Sequence, residues 1–190
     1  MKILFQSRTT LFSVPGGDTV QMLKTAEALR EKGCHVDVTT DLEPDVSSYD
    51  VIHLFNLMRP QEVYLQARNA KRYAKKIALS TIYGRYTEYE KNARHGAAGL
   101  IAKMFSYNQV EYLKIAARAC KNMEFNKGTL LVLSRGYHTL KKRTNAMVDV
   151  FLPNSYSEMR RVIKDHGLND PKFVVVPNAV DAEVFNYEKV

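Results

Sequence analysis

Side chains that can bind or activate a ligand follow two of the short apolar runs in this chain. His53 ends the run Asp50-Val51-Ile52-His53, where an imidazole could act as a general base or bind a substrate hydroxyl. Asn56 follows it, and Tyr83 and Arg85 follow the next apolar run, where they could contact a phosphate or a sugar. The alternatives are a structural histidine bonded to backbone and, for Tyr83 and Arg85, a solvated loop.

Two further runs, rich in β-branched residues, end abruptly in Pro-Asn. The first spans residues 148–154 and is followed by Ser155, and the second spans residues 173–178. Buried strands of a parallel sheet have this composition. Asn154, Ser155 and Asn178 would then lie at the carboxyl ends of strands, where open α/β sheets bind their ligands.

Gly16 and Gly17 stand just before a predicted helix. Two glycines let the backbone approach an anion closely, and the free N–H groups of a helix N-terminus favour negative charge. The pattern is not G-x-G-x-x-G, so the dinucleotide-binding fingerprint is missing. An ordinary flexible turn between strand and helix is the alternative.

The positive charge of the chain is concentrated in its middle. The formal net charge is +8, but residues 59–143 carry eighteen Lys or Arg and five Glu, which makes this basic segment +13 and the remainder −5. Such a segment suggests an anionic partner, namely phospholipid, a phosphorylated substrate or nucleic acid, and the alternative is a contribution to solubility alone.

A predicted helix over residues 97–125 lies inside this basic segment and is amphipathic. Its apolar residues share one face, and the opposite face carries Lys103, Lys114, Arg118 and Lys121. That basic face could contact anionic lipid headgroups. The alternative is a helix whose apolar face packs in the core and whose basic face is solvated.

Composition places the chain among globular proteins without a membrane span. The 190 residues are 45% hydrophobic, and no apolar stretch approaches the roughly 18 residues of a membrane-spanning helix. The first residues are too short an apolar run for a signal peptide. Cys34 and Cys120 have no metal or redox spacing, so we expect free thiols in a reducing cytoplasm.

Alternating strand and helix patterns predict an α/β fold with a doubly wound, Rossmann-like, mostly parallel sheet of six or more strands. Helix signals include Asp18 as an N-cap, Gly33 as a C-terminal cap, and Ser155 with Glu158 as a capping box. The inner face of the first helix is predicted to carry Met22, Leu23, Ala26 and Leu29. The predicted strands are 2–7, 35–40, 50–55, 77–83, 148–152 and 172–176, and the predicted helices are 18–32, 60–75, 97–125, 129–145 and one opened by Ser155.

These motifs, in this order, resemble the N-terminal half of family-4 retaining glycosyltransferases. The resemblance is carried by Gly16-Gly17 before a helix, Leu29-Arg30-Glu31-Lys32-Gly33, Asp50-Val51-Ile52-His53, Asn154-Ser155-Tyr156-Ser157, and Val176-Pro177-Asn178-Ala179-Val180-Asp181 with Phe185. It covers nearly the whole chain. Members of that family have the GT-B architecture, in which two Rossmann-like domains face a cleft.

The resemblance implies a division of labour between two domains. Residues 1–180 would form the acceptor-binding domain, and residues 181–190 would begin the linker to a donor-binding domain supplied in cis or by a partner subunit. The substrates would be a nucleotide-sugar donor and a glycan or lipid-linked acceptor, with no metal or cofactor. The chain by itself would then be inactive.

The resemblance also assigns roles to individual residues. His53, which matches a common histidine of the family at the end of the third strand, and Tyr83 are the catalytic candidates. Many members have a histidine linked to catalysis in the segment matching Ser80-Thr81-Ile82-Tyr83, so the resemblance does not transfer that role to Tyr83. The usual glycine after Pro-Asn is Ala179 here. The cleft would be lined by Gly16, Gly17, Asn56, Arg85, Asn154, Ser155 and Asn178.

The implied setting is cell-surface polysaccharide or lipopolysaccharide synthesis at the inner face of the membrane, by a cytoplasmic or peripheral protein. One rival is a non-catalytic basic module that binds an anionic membrane surface or nucleic acid, although the chain has no nucleic-acid recognition motif, so we expect none as a partner. The other rival is a nicotinamide-dependent dehydrogenase. Asp41 suits a ribose contact there, but the glycine fingerprint that should precede it is missing.

Overall fold

The computed structural model describes residues 1–84 and 127–180, together with seven separate helical positions between residues 109 and 120. Five of the residues predicted above to contact a ligand or a membrane, and the segment that follows Val180, lie outside this description: Arg85, Lys103, Lys114, Arg118, Lys121 and residues 181–190.

The described residues form one five-stranded sheet in which every strand pairing is parallel. The strand order is β2-β1-β3-β4-β5. The predicted α/β fold with a Rossmann-like parallel sheet is therefore confirmed, and this order is one of the two common doubly wound arrangements. The strands are β1 (Lys2–Gln6), β2 (His35–Thr39), β3 (Val51–Phe55), β4 (Lys76–Ser80) and β5 (Val150–Leu152).

The run 172–176, predicted as the sixth strand, is not one of the five strands of the sheet. It lies parallel to β5, with one bridge between Phe151 and Phe173. The Phe151 amide donates to the Lys172 carbonyl at 2.9 Å, the Val174 amide to the Phe151 carbonyl at 3.0 Å, and the Val176 amide to the Pro153 carbonyl at 2.8 Å. The alternating residues Val174 and Val176 are exposed, so among the described residues no packed layer covers that face of the run. β5 itself has only three residues and offers a short edge for pairing.

Five helices have bounds within the described residues. The helix predicted over residues 129–145 is two helices, because Gly136 has φ +80° in the left-handed region and interrupts the chain between Arg135 and Tyr137. The helices are α1 (Gly17–Glu31), α2 (Pro60–Arg72), α3 (Lys127–Arg135), α4 (Tyr137–Met147) and α5 (Tyr156–His166).

The predicted ends of α1 are partly confirmed. Gly33 has φ +81° just beyond the helix, and the Cys34 amide donates to the Leu29 carbonyl, as in a glycine C-terminal cap. At the other end Gly16, not Asp18, is the N-cap. The expected inward position of Leu23 is also wrong, since 42% of this side chain is exposed.

Both faces of the sheet are covered, as the alternation of side chains along each strand requires. Ile3 and Phe5 of β1 point to one face and pack with Met22 and Ala26 of α1. Leu4 points to the opposite face, where one core joins the sheet to α2 and α5. The second face carries Leu4, Ile52, Leu54, Ile77, Leu79 and Phe151 from the strands, against Val63, Ala67, Met159 and Val162 from the helices.

No helix within the described ranges is both long enough and apolar enough to cross a bilayer.

Two carboxylates from outside the basic segment pair with five of its cations. Glu43 accepts from Arg68 at 2.9 Å, from Arg72 at 3.3 Å and from Lys127 at 3.3 Å. Asp149 pairs with Lys71 at 2.6 Å and with a second lysine, Lys76, at 3.1 Å. The folded chain is therefore less asymmetric in charge than its sequence.

Asp149 joins three elements, because its carboxylate also accepts from the Ile77 amide of β4 at 2.9 Å. Burial works to raise the pKa of Asp149, but the hydrogen bonds from Lys71, Ile77 and Lys76 outweigh burial and hold that pKa at about 2. A carboxylate with a depressed pKa stabilises the fold above its unfolded pKa of about 4, and this contribution is lost as pH falls through 2.

We expect Asp149→Asn to lower the free energy of unfolding near neutral pH by about 1 kcal/mol, a modest value because solvent screens this partly exposed pair. The difference from wild type should shrink as pH falls towards about 2.5. Urea denaturation across this pH range measures it, with the exposed Glu31→Gln as control. A deficit that stays constant with pH would contradict the assignment.

Candidate functional site

The candidate site is an open cleft at the carboxyl edge of the sheet. β1 and β3 are adjacent, but the chain leaves them in opposite directions, and open α/β sheets bind ligands at such a point. A volume of about 800 Å³ opens there, and we call it the β1–β3 cleft. Its lining residues are Arg8, Val14, Pro15, Gly16, Asp18, Asn56, Met58, Arg59, Ile82, Tyr83, Gly84, Asn154, Ser155, Glu158 and Arg161.

Arg8 holds the loop that follows β1. Its guanidinium forms a two-pronged pair with Asp18 in the first turn of α1, with Nε–Oδ2 at 2.6 Å and Nη2–Oδ1 at 3.0 Å. Nη1 donates to the carbonyl and hydroxyl of Thr10, and Nη2 also donates to the Val14 carbonyl. All five N–H donors are therefore engaged within the protein. Sequence reasoning missed this role of Arg8.

The same pair sets the charge state of Asp18. The hydrogen bond from Arg8, assisted by one from Asn56, holds the pKa of Asp18 below its usual value, although burial works in the opposite direction. Asp18 therefore carries its charge at neutral pH. The motif that could have indicated the pair is a basic residue directly after a strand, with an acid in the first turn of the next helix.

Gly16 lines the cleft and Gly17 does not. The backbone of Gly16 is extended, with φ −150°, so the glycine is not required by conformation. It is favoured by space, since an added Cβ would lie 3.1 Å from Asp18 Oδ1. A Cβ on Gly17 would meet nothing within 4 Å, and this residue lies in a second groove beside α1.

Two residues with left-handed backbone stand at the cleft. Asn56, at the end of β3, has φ +74° and donates from Nδ2 to Asp18 Oδ2 at 3.1 Å. Asparagine tolerates this conformation, but Ile82, with φ +39°, has a β-branched side chain that disfavours it. Strain of this kind persists only where the surroundings hold it.

Glu158 holds the segment that contains Ile82. Its buried carboxylate accepts from the Thr81 hydroxyl and from the Tyr83 amide, both at 2.6 Å. The other oxygen accepts from the Asn154 amide at 2.7 Å, so one side chain ties the ends of β4 and β5 together.

The predicted capping box is half confirmed. The Ser155 hydroxyl accepts from the Glu158 amide at 3.1 Å and caps α5. In a complete box the glutamate would return to the amide of Ser155. Here its carboxylate reaches past that amide to Asn154 and to the end of β4, which sequence spacing cannot reveal.

Asn154 and Ser155 lie at the cleft where they were predicted. The Asn154 side chain forms an amide pair with Gln21 of α1, in which Gln21 Nε2 donates to Asn154 Oδ1 at 2.9 Å. This contact joins the loop after β5 to α1 and closes one side of the cleft.

His53 lies away from the cleft. It is only 7% exposed, and its ring stacks on Phe55 and meets Phe5 edge-on, with centroid distances of 4.2 and 4.6 Å. Nε2 lies 2.9 Å from Ser80 Oγ, and burial lowers the pKa of His53 to about 3. These contacts fit a structural histidine, so the catalytic role stays a prediction without geometric support.

Tyr83 borders the cleft, but its polar end is used elsewhere. The hydroxyl lies 3.1 Å from Asp165 Oδ2, and the ring meets His166 edge-on at 5.3 Å. The side chain is 4% exposed and belongs to the core shared with α5. Its catalytic role likewise stays a prediction.

Asn178 lines a different surface from the other predicted cleft residues. With Val176, Pro177 and Ala179 it borders the groove beside α1, which has a volume of about 590 Å³. The second Pro-Asn motif therefore lines this groove and not the β1–β3 cleft.

Two arginines at the cleft were not predicted as site residues. Arg59 precedes α2 and uses Nη1 to pair with Glu62 Oε1 at 3.0 Å. Arg161 lies on α5 and is exposed, and its guanidinium has no hydrogen bond or ion pair with the other described residues. In those same parts of the chain, no three His, Cys, Asp or Glu side chains gather as a metal site.

We expect Glu158→Gln to lower the free energy of unfolding by about 2 kcal/mol. The glutamine –NH2 group would replace a carboxylate oxygen and leave at least one buried donor of the wild-type network without an acceptor. Urea denaturation measures this change. Glu27→Gln, in an exposed pair with Lys24, is the matched control and should stay within about 0.5 kcal/mol of wild type. Equal losses in the two variants would contradict the role given to Glu158.

We expect the NMR shifts of the His53 ring to stay constant between about pH 8 and about pH 5, while a histidine peptide titrates near 6.5. Because the unfolded state binds this proton and the folded state does not, His53 makes the fold less stable as pH falls from about 6.5 towards 3. A His53 titration inside that range would restore the general-base hypothesis.

No protein-family model and no curated protein sequence matches this chain. The likeness to family-4 glycosyltransferases therefore depends on the quoted motifs and their order. The structure contributes the Rossmann-like fold on which these motifs lie.

Proposed function

We propose that this chain is the acceptor-binding half of a retaining glycosyltransferase, which transfers a sugar from a nucleotide-sugar donor to a glycan or lipid-linked acceptor. The observation that carries the proposal is the position of the β1–β3 cleft. It opens where the strand order reverses, and Gly16, Asn154 and Ser155 from the quoted motifs line it. The setting we propose is cell-surface polysaccharide or lipopolysaccharide synthesis at the inner face of the membrane.

The size and lining of the cleft suit a saccharide. About 800 Å³ lies within the usual range of small-molecule sites. Apolar surface from Val14, Met58 and Ile82 lies beside the polar groups of Asn56 and Ser155. Sugar rings present both apolar C–H faces and hydroxyl groups, so both kinds of surface support the proposal.

The described residues supply binding rather than chemistry in this proposal. His53 is buried away from the cleft, and the hydroxyl of Tyr83 is bonded to Asp165. Transfer with retention needs positive charge or N–H donors to stabilise the departing diphosphate. We assign that task mainly to a donor-binding domain, supplied in cis or by a partner subunit.

The alternative, a basic module for an anionic membrane surface or nucleic acid, loses part of its support in the fold. It depends on the basic segment, and six of the eleven Lys and Arg residues described in that segment pair with Glu43, Glu62 or Asp149. It would predict binding to DNA or RNA that falls steeply with salt.

Two adjacent glycines allow a matched test. Purified protein is screened by saturation-transfer-difference NMR against free mono- and disaccharides, and we expect at least one to bind. Gly16→Ala should weaken that binding about fivefold, because its Cβ would displace the Asp18 carboxylate that Arg8 holds. Gly17→Ala adds the same atom in open space and should bind like wild type.

Thermal unfolding of both variants shows whether the Gly16→Ala protein is still folded at the assay temperature. A panel in which no saccharide binds would reject the proposed function. Equal effects of the two substitutions would reject the placement of the sugar in the β1–β3 cleft.

A further inference from the structure

The carboxylates that line the β1–β3 cleft are already engaged. Asp18 accepts from Arg8 and Asn56 and from the Thr19 amide. Glu158 accepts from Thr81, Tyr83 and Asn154 through both oxygens. Asp18 accepts four hydrogen bonds and has no acceptor site left, whereas Glu158 accepts three and is buried, at 4% exposed.

The cleft retains N–H donors. Arg8 has none to offer, but Arg59 uses only Nη1, in its pair with Glu62. Arg161 uses none of its five within the described residues. Two of the three arginines that line the cleft are paired, Arg8 with Asp18 and Arg59 with Glu62, so Arg161 is the one that has no carboxylate partner among the described residues. A ligand that satisfies these groups must bring acceptor oxygens and negative charge.

Arg161 is distinguished from the other exposed cations by its position. Among the described residues, exposed cations such as Lys24 and Lys127 have a carboxylate partner within 4 Å, but most have none. Arg161 belongs to this second group, as does its neighbour Arg160, which is also exposed on the same helix. Of these two, only Arg161 lines the cleft.

We propose that the β1–β3 cleft binds a phosphorylated ligand, whose phosphoryl oxygens are held by Arg161 with Arg59. A guanidinium suits this ligand because its planar pair of N–H groups matches two phosphoryl oxygens. The phosphate site itself is independent of the proposed function; only the identification of the phosphorylated ligand as the glycosyl acceptor rests on it. The apolar wall of Val14, Pro15, Met58 and Ile82 would then contact the organic part of the phosphate ester.

The test is calorimetric titration of the purified chain at low ionic strength with three probes: inorganic pyrophosphate, glucose 1-phosphate and geranyl diphosphate. Arg161→Gln should weaken binding of the probes about tenfold, and Arg161→Lys less, because lysine keeps the charge but loses the planar pair of donors. Arg160→Gln removes the same charge from the adjacent position and should change affinity less than about twofold.

The three probes separate the sources of the phosphate. Tightest binding of geranyl diphosphate indicates a lipid-linked ligand, tightest binding of glucose 1-phosphate indicates a sugar phosphate, and equal affinities indicate recognition of the phosphate alone. The proposal is overturned if no probe binds, or if Arg160→Gln and Arg161→Gln weaken binding equally.

The two proposals fail separately. If pyrophosphate binds in an Arg161-dependent way but no saccharide binds, the phosphate site is supported and its assignment to a glycosyl acceptor is rejected. If a saccharide binds with an affinity that depends on Gly16 but no phosphate probe binds, the proposed function is supported and the phosphate site is rejected.

Discussion

The cleft depends on the burial of one carboxylate, that of Glu158. A buried negative charge is costly unless hydrogen bonds replace the lost water. Glu158 meets that requirement through Thr81, Tyr83 and Asn154, which lie on the loops after β4 and β5. Because these donors must converge on two oxygens, the two loops are held at one separation. The left-handed Ile82 lies between two of the donors, so the same constraint maintains its strain.

On the other side of the cleft, Asp18 likewise holds two loops together. It joins Arg8, after β1, to Asn56, after β3, and it belongs to the first turn of α1. Both carboxylates therefore lie in the first turn of a helix, where the helix dipole favours negative charge. Asp18 has no acceptor site left and Glu158 is buried, which leaves the remaining N–H donors of Arg59 and Arg161 as the charged groups offered to a ligand.

Local patterns predicted the architecture well and the site unevenly. The β-branched runs, Gly33 and Ser155 act through neighbouring residues, so their roles could be predicted from spacing. Leu23, Val174 and Val176 were expected to be buried but are exposed, because burial depends on which element packs opposite and spacing along the sequence does not show this. His53 was expected at the cleft because it ends an apolar run. Its position within β3 instead points its ring to the α1 face, between Phe5 and Phe55.

By itself, the sequence determined the α/β class, the parallel sheet, most strand positions and the presence of polar residues at strand ends. These features follow from short-range periodicity, backbone propensity and capping. Only the tertiary structure decided which of those residues share a cleft. Arg8 and Asp18, Thr81 and Glu158, and Gln21 and Asn154 are 10, 77 and 133 residues apart. Hydrogen bonds over such separations depend on strand order and on competition for buried donors and acceptors, which one-dimensional spacing does not contain.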